Sequence, residues 1–356
     1  MKTGPKDHGM LIDRFFARGR QFLGSTYPIL CGAMTWISDP GLVSSVCNAG
    51  GFGLLAGGNA PPDTLRRQIL QTREMTPCPF GVNVITLAPN YLEHLKLACD
   101  LGCEFVVFAG GIPKKNEIRQ AKASGAKTIC FASTEALALS LIERGADALM
   151  LEGSEAGGHI GPVALSVLIQ QILFQVDQVP VFIAGGIATG RMMAHLLMMG
   201  AAGIQMGTRF VLSEECAAHP NFKNAFKRAK ARDAVATPQF DSRLPVIPVR
   251  ALKNEGTVEF GRLQRELLRQ LDEHLITREE AQFEVERFWV GALRRAAVDG
   301  DVVKGSLMAG QSVGLVNQIK PLKAIIAEMV AEAEAEMQRL KRLFAEAAGG
   351  SFAERI

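Results

Sequence analysis

The sequence predicts an α/β fold: a barrel of eight parallel strands, each followed by a helix, with a small helical cap after the last strand and a long C-terminal helix. Three observations predict it. Eight short apolar runs recur along the chain, each ending in glycine or small polar residues. The runs are apolar at nearly every position instead of alternating, as expected for strands covered by helices. Amphipathic stretches of helical period lie between them, and eight strand–helix units in succession make a (β/α)₈ TIM barrel.

In chain order the runs fall at 27–33, 53–56, 80–85, 105–109, 127–131, 148–151, 181–184 and 204–206. Helical segments at 62–74, 91–101, 135–144 and 191–199 follow the second, third, fifth and seventh of them. A doubly wound open sheet is the alternative. Its dinucleotide fingerprint is absent, because Cys31-Gly-Ala-Met34 leads into Thr-Trp and not into a second glycine pair. The barrel is assigned to 24–213. Residues 214–310 form the cap, charge-rich, with helices clearest at 263–275 and 281–297 and no strand-like run between 214 and 300. A helix over 321–347, in a final unit of 311–356, is expected to pack on the barrel and to offer a homodimer contact.

Composition narrows the function. Of 356 residues, 48% are apolar and 21% charged, and the net charge of +3 is spread along the chain. Nothing there makes a case for nucleic acid or an acidic membrane surface. Seven cysteines at 31, 47, 78, 99, 103, 130 and 216 include no CxxC pair, so they read as buried small hydrophobes, not as disulfides or a metal site. No apolar run follows the N-terminus and none reaches a membrane-spanning length, so a cytoplasmic location is expected.

In a barrel of this kind chemistry belongs to the loops after the strands. The densest such loop is Glu152-Gly-Ser-Glu-Ala-Gly-Gly-His-Ile-Gly161, where Gly157 and Gly158 precede His159. Glycines let backbone approach a planar ligand closely, and a histidine there can act as general base or hydrogen-bond donor. A glycine-rich turn around a satisfied histidine is the plainer alternative. Glu152 and Glu155 serve either as a base or in ordering this loop. Ala184-Gly-Gly-Ile-Ala-Thr-Gly190 and Gln205-Met-Gly-Thr-Arg-Phe210 follow the seventh and eighth strands. Their Gly185, Gly186, Gly207 and Thr208 suit a phosphate bound to backbone N–H groups. Gly32, Ala33 and Met34 end the first strand and Asn83 lies in the third; a Met backbone and an Asn amide there suit the polar edge of a ring. His195 reads as structural; His8, His94 and His274 as surface residues. His219 before Pro220 either caps a helix or lines the mouth. No phosphate-cradling GxxxxGK[ST] loop or Ser-His-Asp set is present.

These motifs together resemble the nitronate monooxygenase (2-nitropropane dioxygenase) family, which includes flavin-dependent enoyl-acyl-carrier-protein reductases. The resemblance runs from about residue 24. It rests on Gly32-Ala-Met34, Asn48-Ala-Gly-Gly-Phe-Gly53, Phe80-Gly-Val-Asn83, Glu155-Ala-Gly-Gly-His-Ile-Gly161, Ala184-Gly-Gly-Ile-Ala-Thr-Gly190, Gly207-Thr-Arg-Phe210 and Gly305-Ser-Leu-Met-Ala-Gly-Gln311. It implies FMN at the barrel mouth, a catalytic histidine at His159, and phosphate contacts at Gly185-Gly186 and Gly207-Thr208. Ring contacts would fall on Met34, Asn83 and Gln311, and Glu152 and Gln205 complete the implied cofactor set. Asn59-Ala-Pro61, His219-Pro-Asn221 and Ser306-Leu-Met-Ala-Gly-Gln311 look closer to the enoyl reductases than to nitronate oxidases. The related quinone reductases tend to carry a lysine where Cys130-Phe131 stands here. The expected reaction is NAD(P)H-dependent reduction of an enoyl thioester, with NADH or NADPH as donor. Oxidation of alkyl nitronates by O₂, and flavin binding without catalysis, are the alternatives.

Overall fold

The computed structural model describes residues 10–58, 60–244 and 248–347, so the expectations for His8 and Asn59 lie outside the described residues. The barrel closes in the order β1 (Ile29–Cys31), β2 (Phe52–Ala56), β3 (Gly81–Ile85), β4 (Phe105–Ala109), β5 (Lys127–Ala132) and β6 (Ala148–Glu152). A two-residue strand outside the barrel, β7 (Gly158–His159), intervenes before β8 (Val181–Ala184) and β9 (Gly203–Met206), which pairs back to β1. Every expected apolar run falls on a barrel strand. The ends differ by a residue or two, because hydrogen-bonded pairing and not apolarity sets where a strand stops.

The interior is filled by one face of each strand. Leu30, Phe52, Leu54, Phe105, Val107, Ile129, Met150, Phe182 and Ala184 form one buried cluster. Leu23 belongs to the same cluster, and Phe22 meets Phe105 edge-on at 5.7 Å. Lys127, first residue of β5, donates to the carbonyl of Phe22 at 2.6 Å. The helix Leu11–Leu23, which precedes the assigned barrel, therefore plugs the N-terminal end of the strands. With that end shut, the opposite end is the mouth.

The C-terminal helix Leu322–Ala347 packs mainly on Gly190–Met198. Its carboxylates meet the N-termini of other helices, whose free N–H groups favour negative charge. Glu332 accepts from Gly190 N at 2.7 Å and Glu334 from Ile12 N at 3.0 Å. Glu336 is covered and held down to about 2 by its hydrogen bonds to Arg339 and His195 and the charge of Arg191. His195, with Nε2 2.9 Å from Glu336, is structural as expected.

Three expectations are corrected. The cap is not purely helical: β10 (Ala234–Ala236) and β11 (Val249–Leu252) join β7 in an antiparallel sheet of order β10-β11-β7. These strands are too short to print a periodicity, and their partner in the barrel loop is distant in sequence. His94 is fully buried, with Nε2 2.8 Å from the Ala60 carbonyl, because it lies on the inner face of Tyr91–Asp100. Cys78 and Cys99 are only half-buried, though the other five thiols are buried as expected. Burial pushes Cys47 and Cys130 up to about 12, which makes them inert. The remaining cap helices, Glu255–Asp272 and Arg278–Ala297, share a core of their own in which Trp289 and Phe260 pack at a tilt, ring centres 4.2 Å apart.

Candidate active site

At the mouth the inward face turns polar. Ala56 pairs with Asn83 and Asn83 with Val107, while Ala184 pairs with both Glu152 and Gln205. Partners across a parallel ladder share a face, so Asn83, Glu152 and Gln205 top the apolar interior. The small Ala184 stands between Glu152 and Gln205 on the shared face. Gln205 reaches across β1: a Cβ on Gly32 would stand 3.1 Å from its Nε2. Gln205 Oε1 is buried without a partner. An orphaned acceptor of that kind costs about 1–3 kcal/mol, so it marks a place a ligand completes. Glu152 is half-buried at the mouth, and desolvation there pushes its carboxyl up to about 8. The protonated form, a hydrogen-bond donor, is thereby favoured near neutral pH.

Two turns frame this layer. Gly185 and Gly186 have φ of +96° and +70°, which side-chain-bearing residues avoid. A Cβ on Gly185 would come within 3.1 Å of Gly153 O, so this turn rests directly on the glycine loop. Backbone at the second turn is equally close to its neighbours: Gly207 lies under the Met34 sulfur, and Thr208 Oγ1 accepts from Gly310 N at 3.0 Å. That bond ties the β9 turn to the 308–311 segment, and Gln311 N donates in turn to Glu155 O at 3.0 Å. Gly157 is wedged there, since a Cβ would meet Gly310 N at 2.5 Å. The backbone of Met34 is taken: its N–H donates to Ser38 Oγ and its carbonyl accepts from Ile37 and Ser38. The backbone groups of Met34 are thus already paired within its own turn, and its sulfur lies beside Gly207. Ala33 is half-buried against the interior cluster.

His159 is held by the cap sheet. It pairs with Val249 in β11, and the next residue, Ile160, donates to Pro248 O at 2.9 Å. Arg250 pins the same loop from below, donating to Ser154 O at 3.0 Å and Ala234 O at 2.8 Å. Glu155 accepts from Leu165 N at 3.0 Å, so it orders the loop instead of serving as a base. His219 caps Pro220–Arg228 through Nδ1, which accepts from Asn221 N at 3.1 Å, and is thereby settled as a cap.

The structure adds residues that sequence reasoning did not single out. Glu286 Oε1 stands 3.3 Å from His159 Nε2, within reach of a charge contact though not aligned as a hydrogen bond. Trp36, in the loop after β1, donates from Nε1 to Val290 O at 3.2 Å, and Arg294 lies over its ring. Glu286, Val290 and Arg294 recur every four residues and so form one stripe of the helix. That spacing is the one signal available in the sequence, and it does not say what the stripe faces. Among the described residues no group of His, Cys, Asp or Glu is placed to hold a metal ion, and no helix is long and apolar enough to cross a membrane.

The chain is similar to known proteins over most of its length. The nitronate monooxygenase family model matches residues 18–332. FabK from Thermotoga maritima is 37% identical, covers 92% of this chain and 98% of its own, and superposes with a TM-score of 0.80. A nitroalkane oxidase from Streptomyces ansochromogenes is 26% identical over 90% of this chain and 99% of its own, with a TM-score of 0.76. A (3aS,4S,5R,7aS)-5-hydroxy-7a-methyl-1-oxo-octahydro-1H-indene-4-carboxyl-CoA dehydrogenase of Mycobacterium tuberculosis is 30% identical, spanning 91% of this chain and 97% of that protein.

Proposed function

We propose that this chain, which belongs to the nitronate monooxygenase family and is an oxidoreductase, holds FMN across the barrel mouth and reduces the double bond of an enoyl thioester with electrons from NADH or NADPH. The carrying observation is the orphaned Gln205 Oε1, buried at the barrel mouth beside Gly32. An isoalloxazine ring offers both donors and acceptors along one edge. Gln205, the neutral Glu152 carboxyl and Asn83 offer the complementary set, and the backbone of Gly157 and Gly158 can lie close to the ring. Gly185, Gly186, Gly207 and Thr208 would receive the phosphate, chiefly through backbone N–H groups. Gln311 would close the ring side through the segment that Thr208 anchors.

When bound, the flavin supplies the electron transfer. The chain's own part is to exclude water, orient the substrate and move a proton. His159, fixed on β7, would give a ring N–H proton to the α-carbon as the thioester enolate collapses, and would regain it from water. The likeness to a carboxyl-CoA dehydrogenase supports a thioester substrate. Oxidation of an alkyl nitronate by O₂ is the second reading, supported by the nitroalkane oxidase and the family's name.

The test is anaerobic. The purified protein should be yellow and release FMN, not FAD, on heating; NADH or NADPH should bleach it, and an enoyl thioester should restore the colour. His159→Ala should keep the flavin and lose roughly 10²–10⁴-fold in kcat. Full turnover in that variant removes His159 from the mechanism. Bleaching by an alkyl nitronate but by neither nicotinamide would establish the second reading instead.

A further inference from the structure

We propose that Glu286, on the cap helix Arg278–Ala297, is a positioning residue that holds the His159 ring from its Nε2 side and biases the site against free anionic substrates. The inference rests on the thioester reading above and names what in this chain selects it.

The contact joins two separately fixed elements. His159 is tied into the cap sheet through Val249, and Pro248 receives the next N–H. The helix bearing Glu286 is seated on a different loop, where Trp36 donates to Val290 O and lies under Arg294. Trp36 holds φ of +67°, a conformation a tryptophan adopts only when its surroundings demand it. Because 286, 290 and 294 share one stripe, seating the last two on Trp36 sets the first against the imidazole. The 3.3 Å approach of Glu286 Oε1 to Nε2 is then a consequence of how the cap docks. The two side chains are 30% and 36% exposed, so water weakens the contact without removing it.

Charge supplies the selectivity. A carboxylate 3.3 Å from Nε2 restrains the ring's orientation and makes its surroundings more negative. An enoyl thioester is neutral at its reacting end and receives a proton there. An alkyl nitronate brings a full negative charge to the same ring and would lie beside Glu286, where like charges repel. Removing the carboxylate should therefore hinder the first substrate and help the second.

The experiment compares wild type, Glu286→Gln and Glu286→Asp as full-length flavoproteins. Flavin content and the rate of bleaching by nicotinamide are measured on each sample, so that a misfolded variant shows itself. The readouts are kcat and KM for an enoyl thioester, KM for an alkyl nitronate, and the ring ¹⁵N shifts of His159, identified by its loss in His159→Asn. Glu286→Gln should lower kcat for the thioester roughly tenfold, a fraction of what a general acid itself contributes, with KM nearly unchanged. It should lower KM for the nitronate and alter the ring ¹⁵N shifts, and Glu286→Asp should restore part of each. Wild-type ring shifts and wild-type kcat in Glu286→Gln would overturn the proposal. If the wild-type protein reduces no thioester, the functional reading fails and the substrate bias fails with it. The ring shifts still decide the Glu286–His159 contact on their own.

Discussion

Glu152→Gln should make the protein more stable at alkaline pH and leave it unchanged in acid. In the folded chain burial holds the Glu152 carboxyl protonated up to about pH 8, against an ordinary value of 4.5. Folding therefore takes up a proton between those two values. The sign follows: stability is full below 4.5, falls as pH rises, and levels off above 8. At 1.36 kcal/mol per pKa unit the whole displacement is worth about 5 kcal/mol, of which about 3 kcal/mol is already lost at pH 7. These figures are a ceiling, since the mouth admits some water. Glutamine keeps the shape and a donor but cannot ionise. Thermal melts of ligand-free wild type and variant at pH 5, 7 and 8.5 read the effect. In a chain of this size 1 kcal/mol moves Tm by roughly 2 °C, so the curves should coincide within about 2 °C at pH 5 and separate by roughly 5–10 °C at pH 8.5. Parallel pH dependences in the two proteins would refute the argument, because they would mean that Glu152 ionises normally in the mouth.

Gly157→Ala should cost about 1–3 kcal/mol and weaken flavin retention, read by Tm and by absorbance after gel filtration. The new methyl would stand 2.5 Å from Gly310 N, and neither backbone can move without breaking the Gln311–Glu155 and Gly310–Thr208 bonds. Trp289→Ala empties the centre of the cap core and should destabilise the cap by about 3–5 kcal/mol. Limited proteolysis should then cut the cap helices before the barrel, whereas cuts appearing in both together would show that the cap has no stability of its own. Glu336→Gln should lower Tm at neutral pH, with the loss shrinking as pH falls below 4.5 and the wild-type carboxylate begins its approach to about 2. A loss independent of pH would assign the role of Glu336 to packing alone.

The amino-acid sequence determined the barrel and the composition of its mouth. Eight apolar runs with helices between them have one common closure, and a residue's place just after a strand assigns it to the mouth without coordinates. Glu152, Gly185, Gly186, Gln205, Gly207 and Thr208 were all legible in this way, because strand ends are local features. Whether those residues are free was not legible. Met34 spends its backbone on Ser38 and Ile37, Thr208 spends its hydroxyl on Gly310, and Gln205 keeps a buried oxygen without a partner. The two short cap strands, the burial of His94 and the approach of Glu286 to His159 were likewise settled only by the tertiary structure. For the cap strands and Glu286 the reason is shared. Periodicity records which face of an element is apolar, but a contact between a barrel loop and a helix more than a hundred residues later depends on where the cap docks, and no local pattern carries that information.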